Sequence, residues 1–197
     1  MECNKIVYDN VKELTIEQNI AFSLSCLNRL SHLPQLFINS EDFGIEYLDK
    51  IIPKNTIENI LNDSIRKLTK EPLNIKKVDL LKNIKLLEKM LLDDDIESST
   101  EKQIFFYYVL IIIHTFEYIY KKSIEHINLI SDAMVEIINQ TAYKENPKLT
   151  DTEIIELVDI EIDKEVEKEI KILEIIKTGN NELLNEYIKN SRVEYKA

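Results

Sequence analysis

The sequence predicts an all-α protein: a single-domain multi-helix bundle of about seven to nine helices packed around a central apolar helix near 103–120. Three observations predict it. The 197 residues include only two Gly and four Pro, too few for a fold of many tight turns. Between those few breakers, apolar residues recur at three- and four-residue spacing. Residues 104 to 113 are an unbroken apolar run, and a helix that is apolar on all sides is normally buried on all sides. A membrane span needs roughly 20 apolar residues. This run is shorter and is flanked by Glu101, Lys102 and Glu117, so it reads as a core helix.

The elements follow in order. Residues 3 to 13 read as a short helix or an extended lead-in. Thr15 and Gln18 form a capping box opening a helix to about Leu30, with Ile16, Ile20, Leu24 and Leu27 as its stripe. Pro34 interrupts, because it lacks a donor and restricts Leu33. Leu36 to Ile38 is a short apolar turn, Asp42 to Gly44 a loop or boundary, and 45 to 51 a short helix ending before Pro53. Asn55 and Glu58 cap the next helix, striped by Ile57, Ile60, Leu61, Ile65 and Leu68 and closed by Glu71 and Pro72.

A helix from Val78 to Leu92 places Leu80, Leu81, Ile84, Leu87 and Leu91 inward, with Lys76, Lys77, Lys82, Lys85 and Lys89 mostly outward. Those lysines lack interleaved aromatics, which favours a solvated face over a nucleic-acid patch. Asp93 to Asp95 lack the spaced calcium-loop pattern and read as a linker. Ser98 to Glu101 cap the central helix, and Lys121 to Ser123 break it. The next helix runs from Ile124 to about Ala142, with Ile127, Ile130, Met134, Ile137 and Ile138 inward, and Glu145, Asn146 and Pro147 mark a clear stop. Thr150 and Glu153 cap a long acidic helix to about Lys177, in which 153 to 162 also carries a weaker strand pattern. Gly179 ends that helix in a left-handed cap. A last amphipathic helix spans about Glu182 to Ser191 and carries Leu183, Leu184, Tyr187 and Ile188.

Function is less legible. No Gly-rich phosphate loop and no Glu-x-x-His pair occurs. Ser23, Ser25 and Cys26 have no adjacent base in sequence, so no catalytic residue, cofactor or metal ligand is assigned. His114 and Glu117 lie one turn apart, which suits either a satisfied core histidine or half a metal site. His126 sits beside Glu125 on a mixed face, and His32 in a loop. Two cysteines give no disulfide framework, and Met-Glu-Cys-Asn-Lys is no apolar signal region, so a reducing cytoplasm is the expected location.

The net charge of −11 disfavours nucleic-acid and anionic-membrane partners. From Glu145 to Glu169 there are ten acidic residues against three lysines, a local charge of −7. Asp151, Glu153, Glu156, Asp159, Glu161, Asp163, Glu165 and Glu167 are therefore the candidate surface for a basic protein partner. The competing reading is a solvated helix relieved by Lys–Glu pairs.

Two stretches resemble a bacterial family of unknown function, the YjaG-like proteins. The first is Gln18-Asn19-Ile20-Ala21-Phe22, then Arg29, Gln35-Leu36-Phe37 and Phe43; the second is Glu145-Asn146-Pro147 followed by Glu169-Ile170 and a closing amphipathic helix. The family's acidic residue before the Arg is Asn28 here, its Pro and Tyr fall at His32 and Pro34, its Gly falls at Asp42, and its terminal Ser-Asn-Ile-Gly is missing near Ser191. The resemblance implies an all-helical domain and no established activity. By analogy, relatives of such small acidic families serve as immunity proteins beside secreted toxins.

Three functional readings result. The first is a non-enzymatic immunity protein that neutralises a basic toxin domain. The second is a housekeeping protein with a small-molecule or metal pocket near His114, Glu117 and Arg29. The third is a helical protein that builds an oligomer such as a homodimer.

Overall fold

The computed structural model describes residues 3–38, 45–47, 50–91 and 99–195. Nine α-helices form within these segments: α1 Cys3–Val11, α2 Ile16–Arg29, α3 Leu33–Ile38, α4 Lys54–Lys70, α5 Lys77–Glu88, α6 Thr100–Lys121, α7 Ile124–Glu145, α8 Asp151–Thr178 and α9 Asn181–Asn190. A single 3-10 turn, Pro72–Asn74, separates α4 from α5.

α6 is the centre. Ile104, Val109, Ile111, Ile112 and Phe116 are fully buried. α7 packs along it, and α2, α3, α4 and α5 cover its remaining sides. α6 is long and apolar enough to cross a bilayer by composition alone, but here neighbouring helices provide the apolar surroundings. α8 then packs on α7, α2 and α1, and α9 on α8 and α2.

The caps follow local chemistry. Thr15 accepts from Gln18 N while the Gln18 side chain accepts from Thr15 N, and Thr150 and Glu153 repeat the arrangement at α8. Gly179 closes α8 at φ 72°, where an L side chain is strained. The α6 cap is Ser99, which accepts from Lys102 N at 3.4 Å.

Several expectations need correction. The described residues 45–47 and 50–52 form no helix. Ile45–Tyr47 and Lys50–Ile52 pair antiparallel, with Ile45 opposite Ile52. Four of these six positions carry Ile or Tyr, which favour an extended pleat, and a stretch this short shows no decisive period. Pro34 does not prevent a helix but sits in the first turn of α3, where its missing donor costs nothing. α4 starts at Lys54 behind Pro53, without the cap expected from Asn55. Ile16 and Leu81 are 37% and 38% exposed and leave the inward stripes assigned to them. Ile20, Phe22 and Leu27 are buried on the α2 stripe as expected, and the fully buried Cys26 joins them. The expected loops at Asp42–Gly44 and Asp93–Asp95 lie outside the described residues.

α8 is unevenly anchored. From Val166 to Ile176 it enters the main core, whereas Ile154 and Val158 join Ala142 in a small satellite cluster flanked by Leu157 and Ile162. Its first turns therefore depend on the Thr150–Glu153 box. Thr150→Ala should cost about 1 kcal/mol. Hydrogen exchange should show faster opening over 151–160 and little change in α6.

Candidate functional site

Three groups of polar side chains emerge from this scaffold: the exposed face of α8, a buried ionic cluster beneath it, and a histidine–glutamate group at the α6–α7 corner.

On α8, helical geometry advances each residue by about 100°. Glu156, Asp159, Asp163 and Glu167 consequently share a sector of about 80°, and all four are exposed. Ile155 and Ile160, 53% and 52% exposed, form its two shoulders. Among the described residues no cation pairs with Glu156, Asp159 or Glu167. The other four candidates are placed differently. Asp151 is exposed in the first turn. Glu153 is spent on the cap, its carboxyl held low by the Thr150 N–H and hydroxyl. Glu161 pairs with Lys164 at 2.7 Å. Glu161 also borders a cleft of about 460 Å³ with Lys168, Glu145, Arg192 and Glu194.

Glu165 is a correction. It is fully buried and receives both Arg29 terminal nitrogens, at 2.5 and 2.7 Å. Arg29 is also fully buried, and its Nε donates to Ser191 O at 2.8 Å. Glu165 is thus core architecture and unavailable to a partner. Removing it and the equally buried Glu169 from the acidic segment leaves eight acids against three lysines, a charge of −5.

Glu169, one turn on from Glu165, accepts from Ser131 Oγ at 2.5 Å, and its Oε1 has no hydrogen-bond partner among the described residues. Burial first, then the neighbouring Glu165 charge, push its pKa up to about 8, against the pull of Ser131 and Arg29. Burial opposes the Arg29 charge as well, but the Glu165 hydrogen bonds and charge outweigh it and Arg29 is raised. Cys26 lies nearby, its thiol pushed up by burial and then by Glu169, so it is no activated nucleophile.

The sequence did contain a signal for the buried acids. Glu165 and Glu169 fall in register with Ile154, Val158, Ile172 and Ile176, all on the inward face of α8.

At the corner, Lys122 adopts a left-handed conformation, φ 56°, and donates its N–H to Tyr118 O at 2.8 Å. The reversal sets His126, in the first turn of α7, against His114 and Glu117. Glu117 Oε2 lies 3.3 Å from His114 Nδ1 and 3.1 Å from His126 Nδ1, and the imidazoles stack at 5.6 Å. Lys121 holds the other oxygen, Oε1, at 2.8 Å. Burial lowers the pKa of both histidines against the raising effect of Glu117. Burial would raise Glu117, but Lys121 and His126 outweigh it and hold the carboxyl low. The structure joins His114 to Glu117 as their spacing suggests. It adds His126, which only the chain reversal reveals, and gives Arg29 to Glu165 instead.

No family model matches the chain, and no curated protein matches it. Among solved structures, the fold is similar to the crystal structure of a DUF416 family protein from Shewanella baltica OS155. The TM-score is 0.63 with 20% identity, over 93% of this chain and 92% of that one. At that identity the likeness is one of fold, that of an uncharacterised bacterial domain.

The motif residues of the resemblance are largely structural here. Gln18 closes a cap, Phe22 and Phe37 are core, and Arg29 and Glu169 meet in one buried cluster.

Breaking the Arg29–Glu165 pair from one side leaves a buried, uncompensated charge. Arg29→Met should cost about 3–5 kcal/mol, and Glu165→Met added to it should recover much of the loss. Glu169 has a folded pKa above its unfolded one, so its contribution is fully present below about pH 4.5 and is lost as pH rises through about 8. Glu169→Gln should therefore gain stability relative to the parent as pH rises from 5 to 8.5, which denaturant titrations at the two pH values would measure.

Proposed function

We propose that the protein is a non-enzymatic binding protein, an immunity protein that neutralises a basic toxin domain in the cytoplasm, and a divergent relative of the YjaG-like proteins. One observation carries the reading: Glu156, Asp159, Asp163 and Glu167 form an exposed acidic stripe with Ile155 and Ile160 on its shoulders. The stripe from 156 to 167 is about 16 Å long. Carboxylates on such a stripe attract a cationic partner and speed encounter, while the two isoleucines offer apolar area to anchor it. Asp151, turned about 80° from the nearer edge of the stripe, adds charge at the start of the helix without joining it. Weak anchoring of this half of α8 lets it adjust to the partner surface. The fold likeness to a DUF416 family protein is compatible with this and names no activity.

The test uses basic proteins encoded beside this gene. Each is expressed with and without the chain, and association is followed at low and high salt. The reading expects rescue from toxicity and a one-to-one complex. Glu156→Lys with Asp159→Lys and Asp163→Lys should slow association at least about tenfold at low salt and flatten its salt dependence. Ile155→Ser with Ile160→Ser should speed dissociation. A stoichiometric partner indifferent to both sets would remove α8 as the interface. Failure of the chain to rescue cells from any adjacent basic protein would overturn the immunity reading.

A further inference from the structure

The group at the α6–α7 corner is chemically independent of the acidic stripe. His114 and Glu117 share one face of α6 because they are one turn apart, and the left-handed Lys122 returns His126 to the same point. Each residue offers a ligand atom, and these atoms lie within 4.8 Å of one another.

Two features separate this group from a hydrogen-bonded corner. The His126 side chain is 10% exposed, and its Nδ1 faces Glu117 Oε2 at 3.1 Å without forming a hydrogen bond to it or to any described residue. A buried ring nitrogen left so is costly, and such atoms normally have partners. The spacing also fits a metal. Two ligand atoms about 2.0–2.1 Å from a tetrahedral ion lie about 3.3 Å apart. The two edges to Oε2 measure 3.3 and 3.1 Å. Rotation of the two imidazoles can shorten the third edge.

We propose that His114, Glu117 and His126 bind one divalent late first-row transition-metal ion, of the Zn²⁺ class, at the α6–α7 corner. Two imidazoles and one carboxylate suit such an ion better than Ca²⁺ or Mg²⁺, which take oxygen ligands. Lys121 sits on Oε1 and leaves Oε2 to the ion; its side chain is 47% exposed, so it can withdraw into water as the ion enters. Three protein ligands leave a fourth position open, for water or a partner's donor atom.

The test is calorimetric titration of chelator-treated protein with Zn²⁺, with the visible absorption of the Co²⁺ form as a second readout. One ion per chain at micromolar or tighter Kd is expected, together with the Co²⁺ bands of a nitrogen- and oxygen-ligated tetrahedral or five-coordinate site. His126→Ala and Glu117→Gln should each weaken binding at least about tenfold, judged by the loss of a second-shell contact, which alone costs 10- to 100-fold. His32→Ala, at the only other histidine, should leave it unchanged. Circular dichroism confirms that each variant folds, and the wild-type titration decides the matter even where one does not. No stoichiometric uptake by the wild type, or uptake unaltered by both His126→Ala and Glu117→Gln, would overturn the proposal.

Discussion

The guanidinium of Arg29 has no water to turn to. It is fully buried on α2, and a group that carries a charge and five donors must find every partner inside the protein. α8 supplies a carboxylate from Glu165 and the segment after α9 supplies the Ser191 carbonyl. Such a pair adds little stability over a well-packed apolar replacement, but it tolerates no misalignment. Its effect is to set register. A one-residue slip of α8 would turn Glu165 by about 100° and strand Arg29. The outward direction of Glu156, Asp159, Asp163 and Glu167 therefore follows from the inward direction of Glu165. The surface offered to a partner and the core ion pair are two sides of one helical phase.

Glu169 adds a second demand at the same place. Two carboxylates one turn apart in a buried site cannot both ionise cheaply beside a single guanidinium. Glu165 takes the bidentate contact, and Glu169, held by Ser131, bears the burial cost. The acidic composition of α8 thus hides two unlike populations. One group is solvated and repels its neighbours outward; the other is internal and competes for one cation.

What the sequence disclosed depended on how local the determinant was. Thr15 with Gln18 and Thr150 with Glu153 are three residues apart, and both boxes form as written. The apolar run of α6 needs no partner to declare itself buried. The Ile45–Ile52 ladder escaped because six residues are too few to separate a strand period from a helical one. Glu165 passed for surface because charge is judged along the chain while burial is decided across it, by Arg29 lying 136 residues earlier. His126 was separated from Glu117 by a helix break, and only the left-handed geometry of Lys122 shows that the break folds back on itself. The stripe at 156–167 was half legible: its charge could be counted, but its isoleucine shoulders and the absence of Glu165 required the helix to be seen in place.

The segment after α9 has a bearing on how the chain is made. Ser191 O receives Arg29 Nε, Val193 N donates to Arg29 O, and Tyr195 packs edge-on against Phe37 while donating to Glu101. Residues from the first fifth of the chain are therefore completed by residues beyond position 190. During translation, α2 emerges with a buried-type arginine whose partners do not yet exist. Until residue 195 has cleared the ribosome, that cation must stay hydrated and the face of α2 around it must stay open. Compact states of the nascent chain formed before then lack these contacts, which join both ends of the described fold.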